Sequence, residues 1–384
     1  MDFDVGVIGA GIHGSSAAFH LASRGLRVGI FEREGPASGP TGRSSAICRA
    51  YYTNPFLARC ARDSIEMFKR FPEITGGGSA DFRHTGLLFL HPTEDVDQVR
   101  ESADRLRGLG IEVDLLEPGE ITTRFPMFDL EGVEIGAWER NAGYADPAGA
   151  TSGLFRGAVA RGAEPVLGHR VIAVHPEDGG GATVATEDGT RTRCRRVLIA
   201  AGPWTRGLAS LAGADLPLTV ERHIVGVYRW GDARPAPAHG DLLGGYYFRP
   251  EGEELFLVGP VHPGPEVNPD RFETVASERE LEELAVPVTR RVPEVQGASI
   301  HGGWASLYDV SPDWQPVIGE IAPGIFVDAG TSGHGFKLAP ELGRHVAALV
   351  AGEPLDPAIH EFHPGRFARG EELPAGYGPA RILG

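Results

Sequence analysis

Apolar positions along this chain recur with two periods, and the changes of period mark the elements. Residues 5–8 form a short apolar run, residues 15–23 a small-residue helical stretch, and residues 28–31 a second run that ends on Glu32. Runs this short between turn residues read as strands buried on both faces, so the order is strand, glycine turn, helix, strand: a βαβ unit. The loop over 35–52 is rich in small and turn-forming residues and too long for a plain connection, the texture of a ligand loop. A helix follows over 55–71 with Leu57, Cys60, Ala61, Ser64 and Phe68 on one face. Past a glycine breaker at 75–79, the pattern predicts a strand over 85–90, an amphipathic helix over 94–109 and a short helix over 118–125 ended by Pro126. The chain is then extended from Val133 and turns over 141–147, so a domain change is expected near residue 83.

A helix over 148–161, a strand over 170–174, a hairpin at 176–181 and an apolar strand over 194–201 follow. That last strand ends in Gly202-Pro203-Trp204 and matches the first unit in kind, which returns this segment to the first domain. Residues 216–300 alternate and are aromatic, with one helix opened by a Ser277 and Glu280 capping box, the texture of an antiparallel sheet. A strand over 325–329 then meets a second glycine turn, 330–335, and a helix over 336–349. From Gly365 the chain is turn-rich and expected to be extended.

Composition narrows the class. The 384 residues suffice for two domains, and 41% hydrophobic with 23% charged residues is the balance of a globular protein. A net charge of −16 argues against nucleic acid or an anionic membrane as partner; the one basic run, 191–196, leads into an apolar strand and reads as its solvated entry. Cys48, Cys60 and Cys194 fit neither a disulfide framework nor a zinc site, so no metal is expected and a reducing compartment is. The first residues lack the basic region of a signal peptide, and no run of about 18 apolar residues occurs, so the cytoplasm and no membrane span are expected.

The chemistry gathers at the two glycine turns. In the first, Gly9 permits a tight turn, Gly11 lets backbone approach a pyrophosphate, and Gly14 lets helix and strand pack closely. The helix N-terminus directs N–H groups at the phosphates. Glu32, 18 residues after Gly14, stands where a carboxylate accepts both hydroxyls of an adenosine ribose. Alone, this unit specifies a dinucleotide, NAD as readily as FAD. At the second turn, glycines clear space for a flat ring, and the helix dipole would stabilise the negative charge of a reduced flavin.

The order GAGIHG, Glu32, TGRSSAICRAYY, VLIAAGPW, GWASLYDVSPDWQPVIG and GTSGHGFK resembles the D-amino-acid oxidase superfamily of FAD amine oxidoreductases, nearest its sarcosine oxidase and dimethylglycine dehydrogenase branch. The resemblance covers residues 1–350. It implies a two-domain α/β (α+β) chain: a Rossmann-like FAD-binding domain of residues 1–82, 144–215 and 303–369, and a substrate domain of 83–143 and 216–302 on a mixed or antiparallel sheet, with 370–384 an extended tail. The implied reaction is oxidation of the C–N bond of a small secondary or tertiary amino acid, sarcosine-like favoured, by hydride transfer to flavin N5. The imine then hydrolyses.

Carried over, Gly9, Gly11, Gly14, Glu32 and Arg33 hold the ADP half, while Arg43, Ser44 and Ser45 follow the pyrophosphate and ribityl chain. Val171, Ala200, Ala201, Gly202 and Trp204 match FAD-contacting strands, and Gly330, Gly333, His334, Gly335, Phe336 and Lys337 the flavin edge. Arg49 and Lys337 match a pair that grips the substrate carboxylate. Tyr246, Tyr247, Phe248, Trp304 and Tyr308 fall at aromatic positions near the substrate, with His262 close by. Ser306 stands where monomeric sarcosine oxidases carry the cysteine bonded to FAD, so non-covalent FAD is expected. Leu257 replaces a lysine over the flavin that promotes reaction with O2, which leaves O2 or an electron carrier as acceptor. The alternatives are the flavin subunit of a proline, hydroxyproline or opine dehydrogenase complex, with partner subunits, or a non-catalytic FAD-binding assembly factor.

Overall fold

The computed structural model describes residues 1–230, 237–374 and 376. Phe3–Ile8 is the axis of the first sheet. It pairs in parallel with Val28–Glu32 on one side and Arg191–Ile199 on the other. Glu164–Leu167 adds a parallel strand beyond Val28–Glu32. The free edge of Arg191–Ile199 is shared: its first half takes the antiparallel strand Ala182–Thr186, its second half the parallel strand Ile325–Ala329. Val5, Val7, Val28, Ile30, Leu198 and Ile199 are fully or nearly fully buried, as strands covered on both faces require. The parallel strands therefore end together, and the two glycine turns leave from the strands on either side of Arg191–Ile199.

Helices Ile12–Ala22, Pro147–Val159 and Ala339–Ala351 cover one face and pack on one another through small residues. A Cβ on Gly14 would lie 2.0 Å from the Gly9 carbonyl oxygen, and one on Gly343 would lie 2.3 Å from Ser16 Oγ. Gly9 itself has φ +106°, and its Cβ would strike the Ala200 carbonyl at 2.4 Å, so the tight turn needs glycine on both counts. The last helix begins at Ala339, after a turn through Phe336 and Lys337 that the apolar pattern had read as helix.

The second sheet has eight strands in the order Ser299–Val310, Thr219–Arg229, Leu255–Pro260, Tyr246–Glu251, Ala238–Asp241, Leu87–His91, Ile135–Glu139, Val113–Leu116. All neighbours are antiparallel except Ala238–Asp241 and Leu87–His91, so the sheet is mixed. Segments far apart in sequence thus meet in one sheet. Helix Glu278–Arg291 covers one face, burying Leu284 and Val288 against Tyr228, Phe248 and Phe256, and opens with the expected Ser277 and Glu280 capping box. Ser299–Val310 pairs with Thr219–Arg229 along its whole length, so the expected boundary at 303 falls inside a strand. Of the tail 370–384, residues 375 and 377–384 lie outside the described residues.

Candidate functional site

A cavity of about 740 Å³ runs from the ends of the parallel strands to the second sheet. Its floor is the first glycine turn. Gly11 faces it with only Thr41 Oγ1 within 3.2 Å of where a Cβ would be. Glu32 borders it, one carboxylate oxygen accepting the Ala10 N–H at 2.9 Å and the other the Glu34 N–H at 3.0 Å, so it also braces the turn. Arg33 lies 3.9 Å over the Trp204 ring, and Trp204 Nε1 donates to Asp270 at 2.8 Å. Val171, Ala200, Ala201 and Gly202 complete this end.

Arg43, Ser44 and Ser45 line the middle, in the long loop expected to follow a ligand. The second sheet pins that loop twice: Trp304 Nε1 donates to the Arg43 carbonyl at 2.8 Å, and Arg249 Nε to the Ser45 carbonyl at 2.6 Å. The far end is made by Tyr308, Gly333, Gly335 and Phe336. A Cβ on Gly333 would sit 2.2 Å from the Tyr308 ring, and one on Gly335 2.5 Å from Thr331 Oγ1. Ser306 lines the cavity, its Oγ 3.5 Å from the Pro40 carbonyl.

A smaller cavity of about 60 Å³ adjoins it and shares Ser44, Ser45, Tyr247, Tyr308, Gly333 and Phe336 with it. Arg49 and Lys337, 288 positions apart in sequence, both line this pocket, as do Leu87, Phe89 and Val261. The Arg49 guanidinium lies 4.4 Å over the Tyr52 ring and donates to the Tyr51 carbonyl. Lys337 Nζ donates to the His334 carbonyl at 3.3 Å, and burial, then the Arg49 charge, hold its pKa well below the usual lysine range. Burial pushes the Tyr247 and Tyr308 hydroxyls up.

Several expected residues stand elsewhere. Tyr246 and Phe248 share the opposite face of their strand from Tyr247, because side chains alternate, and both join the core under helix Glu278–Arg291. The Tyr246 hydroxyl sits 3.3 Å from His239 Nε2, and Tyr246 borders neither cavity. His334 also borders neither; its ring bridges the Tyr52 hydroxyl and the Trp314 carbonyl, and burial with the Lys337 charge lowers its pKa to about 3. Gly330 is buried and donates to Asp309 at 2.6 Å, supporting the turn from behind. Gly14 packs helix on strand. Trp304 bonds the loop without lining either cavity, Leu257 packs on Val225 and Val227, and the His262 ring lies against Gly245.

Other residues carry the site unannounced. Glu139 is buried near Arg49 and Lys337, accepts the Ala50 and Tyr51 N–H groups at 2.7 and 2.9 Å, and is pushed up to about 7 by burial. Its signal was an acid closing an apolar strand. His13, Asp309, Asp328 and His223 line the large cavity, His223 stacked on Tyr308 with ring centroids 3.9 Å apart. His13 lay in plain view inside GAGIHG.

The residues present fit FAD. The cavity is long, bordered by both glycine turns, and has the acid at one end and a glycine-cleared slot at the other. Comparison with known proteins agrees. Residues 4–349 match the DAO family, described as FAD dependent oxidoreductase. Mitochondrial dimethylglycine dehydrogenase of Rattus norvegicus is 27% identical over 386 residues, covering 94% of this chain and 44% of that protein, so the chain spans less than half of that relative. Monomeric sarcosine oxidase of Streptomyces avermitilis is 27% identical over 390 residues, covering 95% of this chain and 98% of the oxidase. The solved structure of L-proline dehydrogenase from P. horikoshii superposes with a TM-score of 0.86 at 27% identity, covering 96% of this chain and 99% of that one.

Proposed function

We propose that this chain, which belongs to the DAO family of FAD dependent oxidoreductases, oxidises the C–N bond of a small secondary or tertiary amino acid, a sarcosine-like N-methyl amino acid favoured. The observation that carries the reading is the convergence of Arg49 and Lys337 on one small pocket beside the cofactor cavity. Two cations hold a carboxylate by charge-assisted hydrogen bonds and so fix the carbon attached to it. The pocket is small, about 60 Å³, which suits a small amino acid. Its remaining wall is apolar or hydroxyl-bearing, with Leu87, Phe89, Val261, Phe336, Tyr247 and Tyr308, apart from His239, whose pKa burial lowers to about 4. That wall offers room for an N-methyl group and no further charge for a second carboxylate.

When bound, FAD supplies the acceptor for a hydride from the substrate carbon next to nitrogen. The chain supplies the rest. Burial makes Lys337 costly as a cation until a carboxylate arrives; a proton passing from the substrate ammonium to Nζ leaves the amine free and gives the carboxylate its second cation. Glu139 holds the backbone after Arg49, fixing the guanidinium for that carboxylate. Non-covalent FAD is part of this reading, since Ser306 offers no thiol, and so is the cytoplasm, on three buried free cysteines. Among the described residues no helix is long and apolar enough to cross a membrane.

The likeness to L-proline dehydrogenase favours a second reading, a dehydrogenase that passes electrons to a carrier and works with partner subunits. An anaerobic panel of sarcosine, dimethylglycine, proline and D-amino acids separates the substrates by which bleaches the flavin, and admission of air separates oxidase from dehydrogenase. A holoprotein that none of them bleaches overturns the catalytic reading.

A further inference from the structure

His13 lies in the first turn of helix Ile12–Ala22 and borders the large cavity. Its Nδ1 is 2.9 Å from Asp328 Oδ2 and 3.0 Å from Asp328 Oδ1, and its Nε2 is 3.1 Å from the Gly335 carbonyl oxygen. Asp328 is 2% exposed and is the penultimate residue of the strand that delivers the second glycine turn. A carbonyl oxygen only accepts, and so does an ionised carboxylate. A neutral imidazole carries a single N–H and would leave its other nitrogen lone pair against an oxygen lone pair. The ring satisfies both partners only with a proton on each nitrogen.

We propose that His13 is a positioning residue for the flavin: as an imidazolium clasped by Asp328 and Gly335, it locks the second glycine turn to the first, and cofactor affinity falls when it loses a proton. The two turns both border the large cavity and come from strands more than 300 residues apart in sequence, and this ring joins them directly. The Cβ that Gly335 lacks would lie 2.7 Å from Nε2, so the turn closes onto the ring. The titratable groups facing His13 are Asp328 and, further off on strand Ser299–Val310, Asp309, both buried acids, together with the buried His334, whose own pKa is lowered to about 3. Burial lowers the His13 pKa, the two acids outweigh it, and the net displacement is upward from 6.5. A raised value in the folded state means the clasp is complete below the ordinary histidine range and is lost as pH rises through the raised one. The inference rests on the flavin site and not on the amine substrate.

The test uses apoprotein reconstituted with FAD, its affinity followed by flavin fluorescence between about pH 6 and pH 9.5, upward from the ordinary histidine range. Wild-type affinity is expected to fall about tenfold or more across this range, the change that one proton linked through one pKa unit produces. His13→Gln is expected to bind about tenfold more weakly than wild type at the low end and to show no such slope. Asp328→Asn, which keeps a hydrogen-bond partner and removes the charge, shifts the wild-type slope to lower pH and serves if His13→Gln does not fold. Histidine-¹⁵N spectra should show, near neutral pH, one doubly protonated ring in wild type that is missing in His13→Gln. Parallel slopes in wild type and both variants, or a neutral His13 ring, overturn the proposal. A wild-type protein that holds FAD with this pH slope yet oxidises no amine overturns the substrate reading and leaves this one standing.

Discussion

Lys337→Met separates what a buried amine does for binding from what it does to folding. Lys337 is 7% exposed, and its one described hydrogen bond is to the His334 carbonyl at 3.3 Å, with the Arg49 charge nearby. A methionine replaces it at similar volume without a charge to desolvate. Because the folded-state pKa is depressed, the folded chain carries less proton at Nζ than the unfolded one. Wild-type stability therefore falls as pH drops from the ordinary lysine range through the depressed value, and the variant escapes that loss. The variant should melt no lower than wild type at neutral pH, and its advantage should shrink toward pH 10. Substrate binding moves the other way. Loss of a hydrogen bond to a charged group costs about 1.5–3 kcal/mol, or about 10- to 150-fold in substrate affinity, with FAD retention unchanged. Thermal melts of the apoprotein at two pH values and anaerobic substrate titration of the holoprotein measure both. Wild-type substrate affinity in the variant, or a stability difference that ignores pH, refutes the reasoning.

Arg49→Leu removes a charge that lowers the Glu139 pKa, so Glu139 should titrate still higher and the variant should lose more stability above about pH 7 than below 4.5 in denaturant melts, a loss that Glu139→Gln should remove. Glu139 has its own signature: its pKa rises from the ordinary 4.5 to about 7, so it contributes stability that is full below 4.5 and lost as pH rises through 7, about 3 kcal/mol in all, and Glu139→Gln should flatten that stretch of the stability profile. Tyr246→Phe should cost about 1 kcal/mol of stability through its contact with His239 and leave kcat/KM alone, whereas Tyr247→Phe, in the pocket, should lower kcat/KM by about tenfold; equal effects in the two variants would contradict the strand's facing.

Both glycine turns were legible because their chemistry is local. Gly9 has its own positive φ of +106°, Gly14 is constrained by the Gly9 carbonyl within the same βαβ unit, and Glu32 follows at a spacing set by one helix and one strand. Arg49 and Lys337 could be paired only through the resemblance, since nothing local says that a loop near residue 49 meets a turn near 337. Tyr246 and Tyr247 show the limit of pattern: adjacent residues on a strand take opposite faces, and register decides which one meets the ligand. Glu139 and the partners of His13 are long-range. A carboxylate that caps the backbone of residues 50 and 51 from a strand 89 positions away leaves no periodic trace. The boundary expected at 303 lies inside Ser299–Val310, because pairing with Thr219–Arg229, about 80 residues earlier, leaves no local mark in the sequence.

The central claim, that Arg49 and Lys337 present a small N-methyl amino acid to bound FAD, is tested most directly by anaerobic titration of the yellow holoprotein with sarcosine, with formaldehyde assayed in the same cuvette. The account predicts full bleaching of the flavin with equimolar formaldehyde, and loss of that bleaching at low sarcosine in Lys337→Met. A flavin that stays oxidised with sarcosine, dimethylglycine and proline alike, or that bleaches as readily without Lys337, would contradict it.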